Sequence, residues 1–407
     1  MEALLLSYGV EWANLLVRWL HLITGIAWIG ASFYFVWLDN SIKPPKPGSD
    51  LAEKGVAGEL WAVHGGGFYN PQKYLVSPKT LPEELHWFKW EAYSTWLSGF
   101  ALLFIVYYFN ASAMMVDKAV ADLTTWQAIG IGLGTLAVGW TVYDLLCRSP
   151  LGRRDGALGI VMYILIVAAG YVLSKLLSGR AAYIHVGAMI GTMMVGNVLM
   201  VIIPGQRKLV DALMNGRQPE AIYGQRAKQR SVHNNYFTLP VLFIMISNHY
   251  AMTYSHEYNW LVLALIMAAG VLIRHFFNLK HKGRIAIGYP AAGVALLLVV
   301  AVMIAPKPAA KPASGAQAPA AASSDTASLQ TIVAQRCAVC HADRPTQPGF
   351  ATAPAGIMLH TPELLRQHAA KVYQQTVQLK AMPIGNLTQM TDEERAVVAA
   401  WYESGAK

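Results

Sequence analysis

Eight long apolar runs constrain this chain more than any other feature. They lie at Trp12 to Leu38, Ala92 to Ala113, Trp126 to Leu146, Ala157 to Leu177, Ala182 to Ile203, Tyr236 to Tyr254, Trp260 to Phe277 and Ile285 to Ile304. A helix needs about 20 apolar residues to cross the hydrocarbon core of a bilayer. One such run could be a buried core helix, but eight in a single chain argue against a water-soluble fold. In lipid every backbone polar group must be satisfied within its own segment, so each run is expected to be helical. The composition agrees, with 55% hydrophobic and only 14% charged residues. The first run lacks a basic leader and carries Arg18 and His21, so it is expected to be a retained span, not a cleaved signal. The expected fold is all-α: an eight-span transmembrane bundle over residues 1–304. A Pro/Ala-rich flexible linker at 305–328 and a small C-terminal domain at 329–407 follow.

That domain opens on Cys337-Ala338-Val339-Cys340-His341. Two thiols spaced by two residues and followed at once by histidine form the attachment signature of a c-type haem. Each thiol adds to one porphyrin vinyl group, and the adjacent imidazole is held over the iron as an axial ligand. A zinc knuckle or redox pair is the alternative, but the one other cysteine, Cys147, lies far off in an apolar run. A sixth ligand is expected at Met382, just before Pro383, with Met358 as the rival. Thr391-Asp392-Glu393-Glu394 reads as a helix start, with Ala396, Val397, Ala400 and Trp401 on one face. In this order the elements resemble the C-terminal end of a class I cytochrome c.

Charge sets the expected orientation. Haem c is attached on the oxidising side of a bacterial membrane, so the C-terminal domain is expected outside, and eight spans then put both termini in the periplasm. The loops left inside, the first taken as Asp39 to His86, carry seventeen lysines and arginines, against Lys118, Lys175 and Arg180 outside. The net charge of +9 is thereby explained without nucleic acid.

Ionisable residues inside a membrane are costly and usually mark function. His21 lies in the first run, His185 near the outer end of the fifth and His249 near the outer end of the sixth. The matched depth of His185 and His249 on antiparallel neighbours suggests a b-type haem between them, with His21 as alternative ligand and Gly187, Gly191 and Gly196 leaving room for the porphyrin. The first and fifth runs each pair a histidine with glycines, and His86 and His233 each precede a run. A four-plus-four repeat would explain both, as would chance recurrence.

Arg18-Trp19-Leu20-His21 through Gly25-Ile26-Ala27-Trp28-Ile29-Gly30 carries a resemblance. So do Ala62-Val63-His64-Gly65-Gly66-Gly67-Phe68-Tyr69, the stretch His233-Asn234-Asn235-Tyr236 through Ser247-Asn248-His249-Tyr250, and the fused CxxCH domain. Over nearly its whole length the chain resembles the bacterial membrane-bound urate oxidases (urate hydroxylases). The resemblance implies an inner-membrane enzyme that oxidises urate to 5-hydroxyisourate. Electrons would pass through its own haem c to a downstream cytochrome c or terminal oxidase. The residues themselves leave two alternatives: a non-catalytic electron-transfer or anchor subunit, and a quinol:cytochrome c oxidoreductase.

A flat purine anion calls for stacking, amide donors and a cation in a concave site. On the inner side, His64, His86, Glu91, His233 and Asn235 are the candidate catalytic set, with Trp61, Phe68 and Tyr69 nearby. A base among them would assist proton loss from urate or from attacking water.

Overall fold

The computed structural model describes residues 2–305, 325–348, 350 and 352–406, so most of the expected linker lies outside the described residues. Each apolar run forms a helix. In chain order they are α1 (Glu2–Ser41), α2 (Trp90–Leu102, continued by a π-turn Leu103–Tyr108), α3 (Thr125–Arg148), α4 (Asp155–Ser174), α5 (Gly179–Met214, with a π-turn at Asn197–Ile202), α6 (Ala221–Ser247), α7 (Asn259–His281) and α8 (Gly288–Met303). Five of these expected spans (α1, α3, α4, α5 and α7) are long and apolar enough to cross a bilayer. The other three are helical but fall short for identifiable reasons. The α8 helix has 16 residues, about 24 Å at 1.5 Å per residue. The α2 helix is interrupted by its π-turn. The first half of α6 carries Arg226, Lys228 and Arg230, and the helix stops at Ser247, short of the expected Tyr254.

Local chemistry sets several boundaries. Thr124 and Gln127 form a reciprocal capping box at the start of α3, and the Ser178 hydroxyl accepts from Ala181 N–H at the start of α5. The segment from α1 to α2 holds two small antiparallel hairpins. In one, β1 (Val56–Glu59) pairs with β4 (Gln72–Tyr74); in the other, β2 (Ala62–His64) pairs with β3 (Gly67–Tyr69). Gly65 and Gly66 both have positive φ, 57° and 80°, which a tight two-residue hairpin turn requires.

Helix α5 is the axis of the bundle, packed by α2, α3, α4 and α6, while α7 joins α6 to α4 and α8. Small residues allow the close approach. A Cβ on Gly132 would meet His185 at 2.5 Å, one on Gly139 would meet Met189 at 2.3 Å, and one on Gly187 would meet Ile244 at 2.5 Å. Helix α1 lies at the periphery, with Trp12, Leu16, Trp19, Leu20, Ile23 and Ile26 exposed, a face suited to lipid. Despite the repeat suggested by sequence, α1 and α5 therefore occupy different surroundings.

The two ends of the bundle are distinguishable. Asp39 pairs with Lys73 and Lys228 at one end, where Gln229 also bonds Gly152 and Asp155. At the other end, the segments around Asp117, Lys175, Arg180 and Glu257 line one cleft together with Lys380 and Gly385 of the C-terminal region. The loops expected outside thus gather at a single end, beside the C-terminal domain.

That domain holds α9 (Asp325–Ile332, extended by a π-turn Val333–Cys337), α10 (Pro362–Gln367), α11 (Ala369–Tyr373) and α12 (Asp392–Glu403). The helix start read at Thr391 is a capping box closed by Glu394. Leu329, Ile332, Leu359, Leu365, Val372 and Val398 form a core separate from that of the bundle.

Candidate functional site

Three polar arrangements stand out, one in the C-terminal domain and two toward the end of the bundle that carries Asp39. In the first, Cys337, Cys340, His341 and Met382 line a single cavity. Its walls are mostly apolar, from Ile357, Leu359, Val372, Ile384 and Leu387. The His341 Nδ1 lies 2.8 Å from the Ile357 carbonyl, which fixes Nδ1 as the protonated nitrogen and leaves Nε2 as an electron-pair donor. Arg395 holds the methionine loop: it donates to the Met382 carbonyl at 2.8 Å and also to the Thr376 carbonyl. Met358, the rival ligand, does not line this cavity. Among the described residues, no group of three or more His, Cys, Asp or Glu is gathered as a metal cluster.

The second arrangement joins α3, α5 and α6. Tyr143 Oη lies 2.9 Å from His233 Nδ1, and Asn197 donates to Tyr143 Oη and to Asn234 Oδ1. Arg230 donates to Asn197 Oδ1 at 3.0 Å and to Asp144 at 2.7 Å, while Arg148 also pairs with Asp144. Every buried polar atom of this network has a partner, and its buried cation is matched by a carboxylate. Asn197 begins the π-turn of α5, a device that turns one side chain out of helical register.

The third arrangement, between α1, α6 and α7, is unbalanced. Asn235 Oδ1 accepts from Arg274 Nε at 2.8 Å and from Asn278 Nδ2 at 3.1 Å. The Arg274 guanidinium lies 4.0 Å from the centre of the Phe33 ring. Yet Asn235 Nδ2, Arg274 NH2, Asn278 Oδ1 and Ser32 Oγ are buried with no hydrogen-bond partner among the described residues.

The remaining expected site residues are dispersed. His64 stands on the β2–β3 hairpin with Trp61, Phe68 and Tyr69, all exposed. His86 is exposed and packs edge-on against Phe88. Glu91 sits in the first turn of α2, and none of these three touches the networks above. Tyr107 links the segments of His185 and His249: its ring meets His185 edge-on and its hydroxyl donates to Asn248 at 2.8 Å. The α6 helix ends at Ser247, so His249 lies beyond it and is exposed. His185 is fully buried, with Nδ1 at 2.8 Å from the Ala181 carbonyl and Nε2 at 3.2 Å from Tyr108 Oη. Gly132 packs directly on that Nε2. His21 has Nδ1 at 3.0 Å from the Thr95 carbonyl, and its ring is set against Gly99. Of the glycines thought to leave room, Gly187 receives Ile244 and Gly196 receives Trp140, whereas Gly191 faces open space. His185 and His21 each have a ring nitrogen engaged, while His249 is exposed.

Residues 7–305 match the family model described as the urate oxidase N-terminal domain. The chain belongs to the urate oxidase N-terminal family. No curated protein and no solved structure matches it. The family match spans all eight long helices and stops before the cavity that holds Cys337. Within this urate oxidase N-terminal domain, the sequence reading found Asn235 but passed over its partners Arg274 and Asn278. The available signal was spacing: a cation and an amide four residues apart share one face of an otherwise apolar helix.

Proposed function

We propose that this protein is a membrane-bound urate oxidase that delivers electrons outward to a haem c carried by its own C-terminal domain. The observation that carries this reading is the conjunction on one chain of the family match over residues 7–305 with a cavity lined by Cys337, Cys340, His341 and Met382. The donor set suits a covalently held haem, which Cys337 and Cys340 would anchor through their thiols and His341 and Met382 would hold by their nitrogen and sulfur. When bound, such a group supplies one-electron acceptance. The apolar walls exclude water, and the thioether of Met382 would favour the reduced state.

The proposed conversion of urate to 5-hydroxyisourate, balanced with water as the oxygen donor, releases two protons and two electrons. A haem c held by Cys337, Cys340, His341 and Met382 would supply one-electron acceptance toward a soluble cytochrome c or terminal oxidase. The eight helices are read as eight spans, with both termini in the periplasm and the basic loops in the cytoplasm. The gathering of the weakly basic loops beside the C-terminal domain supports this orientation.

The test is anaerobic addition of urate to purified protein. Reduction of the haem absorption without an added subunit or quinol supports the reading. Reduction only by quinol, or only when another protein is supplied, would replace it with one of the two alternatives.

A further inference from the structure

We infer that Arg274, Asn235, Asn278 and Ser32 form a clasp for a planar organic anion bearing adjacent N–H and C=O groups, and that this clasp is where the protein takes urate. The inference rests on the proposed function and adds the residues. Two features carry it. The first is charge. Arg274 is 4% exposed, and no carboxylate pairs with it among the described residues. A buried guanidinium without a counter-charge is strongly destabilising, and an anion removes that penalty. Arg230, in the same bundle, shows the structural solution, a direct pair with Asp144 at 2.7 Å. Arg274 lacks that solution.

The second is orientation. Asn235 Oδ1 takes both the Arg274 Nε–H and one Asn278 amide hydrogen. This fixes the Asn235 amide and leaves its Nδ2 as a free donor. Arg274 NH2 is a second free donor, Asn278 Oδ1 a free acceptor and Ser32 Oγ either. Buried polar groups are normally satisfied, so three unpartnered atoms on hydrogen-bonded neighbours, with a fourth on Ser32 beside Phe33 in the chain, are a strong departure. Their mix matches the edge of a urate monoanion, where carbonyl oxygens alternate with ring N–H groups. Phe33 stacks on the guanidinium and holds it in one plane, as paired recognition of a flat ligand requires. The site lies at the basic end of the bundle, since Asn278 is three residues from the end of α7 at His281. Entry is therefore from the side where the loops carry most positive charge.

The experiment measures equilibrium binding of urate to the haem-loaded, detergent-solubilised full chain, together with urate-driven and dithionite-driven haem reduction. Arg274→Gln should weaken urate binding about 10- to 100-fold, the range expected for losing a charged hydrogen-bond donor, with dithionite reduction unchanged. Because that variant could also disturb folding, Asn278→Asp is the second arm. It gives Arg274 a carboxylate, so thermal stability should hold or rise while urate binding falls. A purely structural arginine would give the opposite result for Asn278→Asp, stability gained with urate affinity intact, and this would overturn the clasp. Unchanged affinity in Arg274→Gln would overturn it as well while leaving urate oxidation standing. If the unmodified protein binds urate but is not reduced by it, the clasp survives and the proposed activity fails. If it does neither, both fail.

Discussion

At the scale of residues, the C-terminal cavity gathers side chains that the sequence singled out by order alone. Cys337, Cys340 and His341 could be named from the CxxCH spacing, and Met382 was separable from Met358 only through its context. In the structure Met382 lines the cavity of Cys337 and Met358 does not, and Arg395 holds the Met382 carbonyl against α12. Replacing Met382 with alanine should lower the haem potential and abolish the weak sulfur-to-iron absorption band of the oxidised protein. Persistence of that band would move the ligand role to another side chain. Histidines carry no such fixed spacing, and hydropathy extended the sixth run past Ser247, where α6 ends, so that His249 lies beyond the helix. His249→Leu should leave the haem spectrum and urate-driven reduction as they are in the parent protein. Loss of either would restore a ligand role for that exposed imidazole.

At the scale of elements, long apolar helices were legible because lipid leaves the backbone no alternative. Their ends were less so, since hydropathy does not register a turn of π-helix or a polar entry. Helix α6 illustrates both faults: it begins with charged residues and ends seven residues early. The clasp was hidden for a related reason. Arg274 and Asn278 belong to α7, whereas Asn235 belongs to α6, and only packing brings the three together. Helix α12 shows the opposite case, since its capping box was visible in sequence and its electrostatics follow from it. Burial tends to raise the Glu394 carboxyl, but the hydrogen bond and charge of Arg336 outweigh burial and hold it below the ordinary value of 4.5. Lys380 similarly lowers Asp392, on the exposed side of the helix. A folded-state value depressed in this way stabilises the domain fully above the unfolded carboxylate range. The contribution is lost as pH falls through that range toward the lower folded value. Thermal unfolding of the full chain, followed at the haem band, should therefore weaken as pH drops below about 4.5, with Glu394→Gln showing a shallower dependence. An equal slope in the two proteins would remove Glu394 from the account.

At the scale of the whole molecule, two bodies meet through a very close backbone approach. Gly385 has φ +54°, and a Cβ built on it would lie 2.6 Å from the Val116 carbonyl oxygen and 3.0 Å from that of Ala113. Backbone oxygens cannot step aside as a flexible side chain can. Gly385→Val should therefore unseat the C-terminal domain from the bundle. Urate-driven haem reduction should slow, while reduction by a soluble donor and the haem spectrum stay normal. If urate-driven reduction keeps its rate, electrons enter the domain elsewhere.

Because Gly385 sits flush with the bundle, the methionine side of the domain is a closed berth. A soluble acceptor of the proposed electrons would find that side taken and have to moor on another. Loading and unloading would then use different quays, and a full acceptor leaving one would not disturb the other. Should the domain lift away, it stays covalently joined to the bundle, so its return does not depend on how dilute the protein is. Such an arrangement turns a reversible carrier into a directional one by where its partners can land.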